Sequence, residues 1–145
     1  MEDNFTVRLQ QAMNQYRDGE FVGARISLEE MLHDDPRNPI VLTLLSQVEE
    51  SSGNTKEAVQ LAAEAVGLAP KSWHASLALF FALEAEGRVN EALDEIVRFL
   101  SVNKSSQHDE LVRDITQNEE NARNGVSEYL LRGLSKIPRY RDFHI

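Results

Sequence analysis

Cysteine is absent from the 145 residues, which excludes disulfides, thiolate metal sites and cysteine nucleophiles. Glycine and proline are scarce, at seven and four, so the chain is not a low-complexity linker. Positive charge is short: 15 Lys and Arg face 24 Asp and Glu, leaving a net charge of −9. A chain this acidic lacks the cationic face that nucleic-acid phosphates or an anionic membrane surface require, so neither is expected as a partner. Long apolar runs are missing too. The longest, Leu77 to Leu83, has seven residues, far short of a membrane span. The opening MEDNFTVRLQQ has no basic-then-apolar run, so the expectation is a cytoplasmic protein without a signal peptide.

Signatures of catalysis are equally thin. No HExxH pair, GxSxG elbow, phosphate loop or dinucleotide fingerprint occurs. The four histidines, His33, His74, His108 and His144, are scattered. Carboxylate pairs such as Glu29-Glu30, Asp34-Asp35, Glu49-Glu50 and Glu119-Glu120 read as solvated helix faces or ends, without the buried pocket that shifts a pKa. The expectation is therefore no enzyme, no cofactor and no metal.

What the chain does contain is a period. Gly19, Gly53 and Gly87 recur at one constant interval, and Ala24, Ala58 and Ala92 recur at the same interval. Amphipathic helices fill the gaps. Phe5, Leu9, Ala12, Met13 and Tyr16 recur at helical spacing, and Gly19 ends that helix. Ala24, Leu28, Met31 and Leu32 mark a second helix, ended before Pro36. A third follows Asn38-Pro39 and stops at Gly53; a fourth holds Ala58, Leu61, Ala62, Ala65 and Val66 and ends at Ala69-Pro70; a fifth starts after Ser72; a sixth carries Ala92, Ile96, Phe99 and Leu100. A small side chain early in every second helix lets the two helices of a hairpin approach closely. No hairpin hides its apolar stripe alone, so successive hairpins must stack.

The period predicts hairpins over about residues 5–38, 39–72 and 73–106. Residues 107–137 read as a capping helix or helices, with His108 to Asn121 as one helical stretch and Val126, Tyr129, Leu130, Leu134 and Ile137 as another stripe. Gly125 either separates two helices or sits inside a longer one. Residues 138–145 read as an irregular tail, and residues 129–145 carry four basic side chains against one acidic.

These units resemble the tetratricopeptide repeat, a 34-residue helix–turn–helix with Gly before the second helix, Ala near its start and Pro at its end. Gly19, Ala24 and Pro36 match, as do Gly53, Ala58 and Pro70; the third unit keeps Gly87 and Ala92 but has Lys104 where Pro is usual. The aromatic after the glycine is present once, as Phe21, with Thr55 and Val89 later. The resemblance spans about residues 5–106 and implies an all-α, right-handed α-solenoid.

It also implies a concave groove lined by the first helix of each hairpin. The family's groove positions fall on Thr6, Leu9, Gln10, Met13 and Tyr16, then Ile40, Thr43, Leu44, Gln47 and Glu50, then His74, Leu77, Ala78, Phe81 and Glu84. Among these, Leu9, Met13, Tyr16, Ile40, Leu44, Gln47, His74, Leu77 and Phe81 are the candidate partner-binding residues. The subgroup that clamps C-terminal carboxylates of heat-shock chaperones carries Lys, Asn and Arg where this chain has Leu9, Met13, Leu44, His74 and Ala78. That clamp is absent.

The expected function is a non-enzymatic protein–protein interaction module: an adaptor, assembly factor or dedicated chaperone that holds an apolar peptide or helix of a partner protein, with Tyr16 and Phe81 as anchors. The alternative is a structural homo-oligomer, a homodimer for instance, that self-associates through groove or cap. Trp73 and Phe80 are expected in inter-helix packing. His74 and His108, one repeat apart, are expected to be exposed or groove-lining. The tail, with Arg139, Tyr140, Arg141 and Phe143, reads as disordered or as a recognition peptide.

Overall fold

Gly19, Gly53 and Gly87 adopt φ of +80°, +86° and +79° in a computed structural model that describes residues 4–140. All three close a helix in the same way. The amide just after the glycine reaches back to a carbonyl in the last helical turn, from Glu20 to Gln15, Asn54 to Glu49 and Arg88 to Leu83, at 2.8, 2.8 and 2.9 Å. The glycine amide itself bonds to the carbonyl of Tyr16, Glu50 or Glu84. This is the Schellman cap, whose left-handed residue is least strained as glycine. The glycine period is therefore a repeated helix stop.

The helices are α1 (Asn4–Arg17), α2 (Phe21–Asp34), α3 (Pro39–Ser51), α4 (Thr55–Leu68), α5 (Trp73–Ala85), α6 (Val89–Val102), α7 (Ser106–Gln117), α8 (Glu119–Arg123) and α9 (Val126–Leu134), with a 3-10 turn over Pro138–Tyr140. No strand occurs among the described residues. The first six helices form three antiparallel hairpins that stack in chain order, α3 packing on α2 and α5 on α4. Two joints are started by side-chain caps: Asn38 accepts from the amides of Ile40 and Val41, and Ser72 from that of Ala75. Ala24, Ala58 and Ala92 are 0%, 0% and 1% exposed, as close helix approach requires. Ser46, also buried, donates to the Ala58 carbonyl at 2.8 Å and fastens α3 to α4.

The core is continuous along the stack. Leu32 and Leu61 touch both the cluster around Leu28, Val41 and Val48 and the one around Leu42, Ala65 and Ala75. Leu79 joins the latter to the largest cluster, built on Phe80, Ile96, Phe99 and Leu100. At the other end, α1 has Arg8 and Gln11 where α3 has the buried Leu42 and Leu45. Arg8 instead pairs with Asp34 across its own hairpin at 2.9 Å.

The C-terminal segment departs from the single helix read over His108 to Asn121. Asn118 is extended (φ −78°, ψ 122°), and its side chain accepts from the Asn121 amide, which ends α7 and starts α8. Gly125, at φ +83°, separates α8 from α9. It is α9 that lies along α6, and a Cβ at Gly133 would come within 2.8 Å of Val97. Leu130, Leu134 and Ile137 thereby complete the core begun by Phe99.

Two further expectations change. His108 is neither exposed nor on an open face: it is fully buried, stacked on Phe99 with ring centroids 3.9 Å apart. Its Nε2 meets the Ser76 hydroxyl at 2.9 Å and its Nδ1 the Ser105 hydroxyl at 2.6 Å, joining α7 to α5. Residues 138–140 are ordered by contact. Tyr140 is buried and donates to Asp109 at 2.7 Å, and Arg139 donates to the Asn103 carbonyl. Arg141, Phe143 and His144 of the expected tail lie outside the described residues.

Candidate functional site

The first helices α1, α3 and α5 carry one repeating row each. Residues at i and i+4 stand in line on a helix, giving Phe5–Leu9–Met13 on α1, Pro39–Thr43–Gln47 on α3 and Trp73–Leu77–Phe81 on α5, all at the same phase of their repeats. Two hydrogen bonds bring the three helices edge to edge. Tyr16 meets the Ser51 hydroxyl at 3.1 Å across α1 and α3, and Gln47 meets His74 Nε2 at 3.2 Å across α3 and α5.

Met13, Ile40 and Phe81 are open to solvent, at 41%, 51% and 46% exposure. Leu9, Tyr16, Gln47, His74 and Leu77 are half-buried between them. Leu44 faces elsewhere: it is buried in the core with Ala12, Leu28 and Met31. Tyr16 is also packed beside Phe21, ring centroids 5.8 Å apart, so part of its surface is spent within its own hairpin. Burial lowers the His74 pKa below its usual value, which keeps the ring neutral and suited to its bond with Gln47.

Trp73 reverses its expectation. It is exposed and lies beside His74, whereas Phe80 is buried as expected and meets Phe81 edge-on at 5.1 Å. Trp73 opens the row that ends at Phe81. The signal for it was its phase, one helical turn before Leu77, rather than its size.

Two clefts lie away from these rows. One of about 600 Å³ is lined by Arg25, Glu29, Glu49, Lys56, Glu57 and Glu86. Its buried carboxylate, Glu49, is already bound by Arg25 and by Asn54. The other, about 510 Å³, runs between α6 and α9 past Val97, Tyr129, Gly133 and Ile137. His74 and His108 do not meet, each being held by its own partners. No group of three or more His, Asp or Glu able to hold a metal occurs among the described residues. No described helix is long and apolar enough to cross a membrane.

Helical hairpins stacked in one direction, with their first helices side by side, define an all-α solenoid of helix–turn–helix repeats. The fold is that of the tetratricopeptide repeat. The first such repeat domain of Spaghetti (RPAP3), solved bound to the HSP90 peptide SRMEEVD, superposes with a TM-score of 0.68 at 19% identity, covering 77% of this chain and 92% of that one. The Sgt2 repeat domain from Aspergillus fumigatus gives 0.64 at 20% identity over 97% and 81% of the two chains. The MamA RS-1 ArsTM double mutant gives 0.67 at 13% identity over 99% and 80%. No protein-family model matches the chain, and a sequence comparison with curated proteins finds no match.

Proposed function

We propose that the chain is a non-enzymatic protein-interaction module, made of three tetratricopeptide-like repeats (about 5–38, 39–72 and 73–106) and a helical cap, that docks an apolar segment of a partner protein on its first helices. The observation that carries this reading is the pair of large apolar rows, Phe5–Leu9–Met13 and Trp73–Leu77–Phe81, on either side of the shorter-chained row Pro39–Thr43–Gln47. Met13, Trp73 and Phe81 of these rows stand open to solvent, Ile40 beside the central row is open as well, and Phe5, Leu9 and Leu77 are half-buried among them. Open apolar side chains of this size, gathered on one face, are what a partner's aromatic or aliphatic anchors bury. The Spaghetti (RPAP3) domain, which shares the fold, was solved with a peptide bound, and this supports the same use of the scaffold here.

The test uses Met13→Asp and Phe81→Asp, two exposed positions whose change leaves the core intact. Tyr16 is a poorer probe, because its bond to Ser51 would be lost as well. Light scattering over a range of concentrations fixes the oligomeric state, and capture is compared between parent and variants of equal helicity. Partners that bind the parent and are lost by both variants support the module. A dimer that dissociates on the same substitutions assigns the face to self-association. Partners and oligomeric state unchanged by both would overturn the assignment of the face.

A further inference from the structure

The charge of this face restricts what it holds. Helices α3 and α5, which carry two of the three rows, contain no Lys or Arg. Their charged residues are Glu49, Glu50 and Glu84, and Glu49 is turned away into its pairing with Arg25. Glu50 stands at i+3 from Gln47 and Glu84 at i+3 from Phe81, so both lie on the same stripes as the docking rows, at the hairpin-turn end. Among the described residues neither belongs to an ion pair; the pairs formed are Arg8–Asp34, Arg25–Glu49, Arg88–Glu91, Arg98–Glu95 and Arg132–Glu128. The equivalent position on α1 is the neutral Tyr16, and Arg17 beside it is held by Asn14 at 2.8 Å. At the opposite end Ile40, Trp73 and His74 carry no charge, and the nearest cations, Arg37 and Lys71, lie in the joints just before α3 and α5.

Resting on the docking reading above, we infer that the occupant is a protein segment with large apolar residues followed on one side by Lys or Arg, its cations lying against Glu50 and Glu84. An acidic segment is disfavoured twice. It meets two carboxylates, and it finds no cation on α3 or α5 to replace the water it gives up. The SRMEEVD peptide held by the Spaghetti (RPAP3) domain is of that disfavoured kind. The occupant inferred for this chain is opposite in charge to that peptide.

The probe is a displayed library of random dodecapeptides, panned on the parent protein with Phe81→Asp as counter-selection. The enriched pool should be rich in Leu, Ile, Phe or Trp together with Lys or Arg. A labelled peptide from that pool should bind the Glu50→Lys/Glu84→Lys double variant about tenfold more weakly than the parent, through two lost attractions, and the difference should shrink at high salt. A Phe81-dependent pool that is acidic or uncharged overturns the charge inference and leaves the docking face standing. A pool with no Phe81-dependent member overturns the docking face itself. A parent that is dimeric, and monomeric once Phe81 is Asp, makes a second copy of the chain the occupant and overturns the proposal.

Discussion

Acidification should act on this protein through two histidines whose pKa is lowered, the half-buried His74 and above all the buried ring of His108. His108 is fully enclosed, stacked on Phe99 and bonded through both ring nitrogens to Ser76 and Ser105. Burial, with Arg98 nearby and only partly opposed by Asp109, lowers its pKa from 6.5 to about 4. The folded state therefore holds the neutral ring, and the unfolded chain takes up a proton first. Above pH 6.5 the stabilisation is complete. Between pH 6.5 and about 4 the unfolded state binds the extra proton, and stability falls by up to about 1.4 kcal/mol per pH unit. Over that window the loss is about 3 kcal/mol, a sizeable part of the roughly 5–15 kcal/mol typical of a domain. The 24 acidic residues add their own dependence, so the reading is a difference between parent and His108→Gln. The variant starts less stable, having lost the stack on Phe99, but it does not titrate at this site. Urea unfolding at pH 7.5, 6, 5 and 4 should show the stability advantage of the parent shrinking by about 3 kcal/mol towards pH 4. An advantage constant to within about 0.5 kcal/mol would refute the buried, neutral ring.

The hairpin contact can be probed at Ala58, which is 0% exposed: Ala58→Leu should destabilise by about 1–3 kcal/mol, and Ala63→Leu on the exposed side of α4 by less than about 0.5 kcal/mol, both read by urea unfolding. Equal effects would mean that no close helix approach exists at Ala58. Gly87→Ala meets no neighbouring atom within 4 Å, so its penalty is the left-handed backbone alone, about 1–2 kcal/mol by the same assay. A variant as stable as the parent would contradict the Schellman turn. Tyr140→Phe removes the bond to Asp109 and should lower stability by about 1 kcal/mol; no change in the melting temperature would place the 3-10 turn outside the cooperative fold.

The hairpins were legible because three local devices repeat in phase: a left-handed glycine, a buried alanine and, at two joints, a side-chain cap followed by a helix. The C-terminal helices were harder because the phase slips. The capping residues are Asn38, Ser72 and Ser105, and the second interval is shorter than the first by a single position. That deletion turns a helix face by about 100°. His108 therefore takes the place of the buried Ala75 rather than that of the half-buried His74. Extending the regular period past Ser105 puts it on the wrong side. Asn118 hid the next break, because its extended backbone is reinforced by a side-chain bond that composition does not announce. On the first-helix face the row was readable but the depth was not. Ile40 and Leu44 are at i and i+4 on α3, yet one is 51% exposed and the other 7%. Leu44 is covered by the core cluster that holds Ala12, Leu28 and Met31, to which Ile40 does not belong, and that is a tertiary difference with no local signature.

Chemical-shift mapping reaches most directly to whether the first-helix face is where a partner sits. The protein, labelled at methionine and isoleucine methyls and backbone amides, would be titrated with a peptide from the selected library. The largest changes should fall on Met13, Ile40 and the amides from His74 to Glu84. Val22 and Ile26 on α2, exposed at 67% and 53%, should stay still and serve as internal controls. Shifts gathered instead along α2, or in the cleft between α6 and α9 near Val97 and Ile137, would contradict the account.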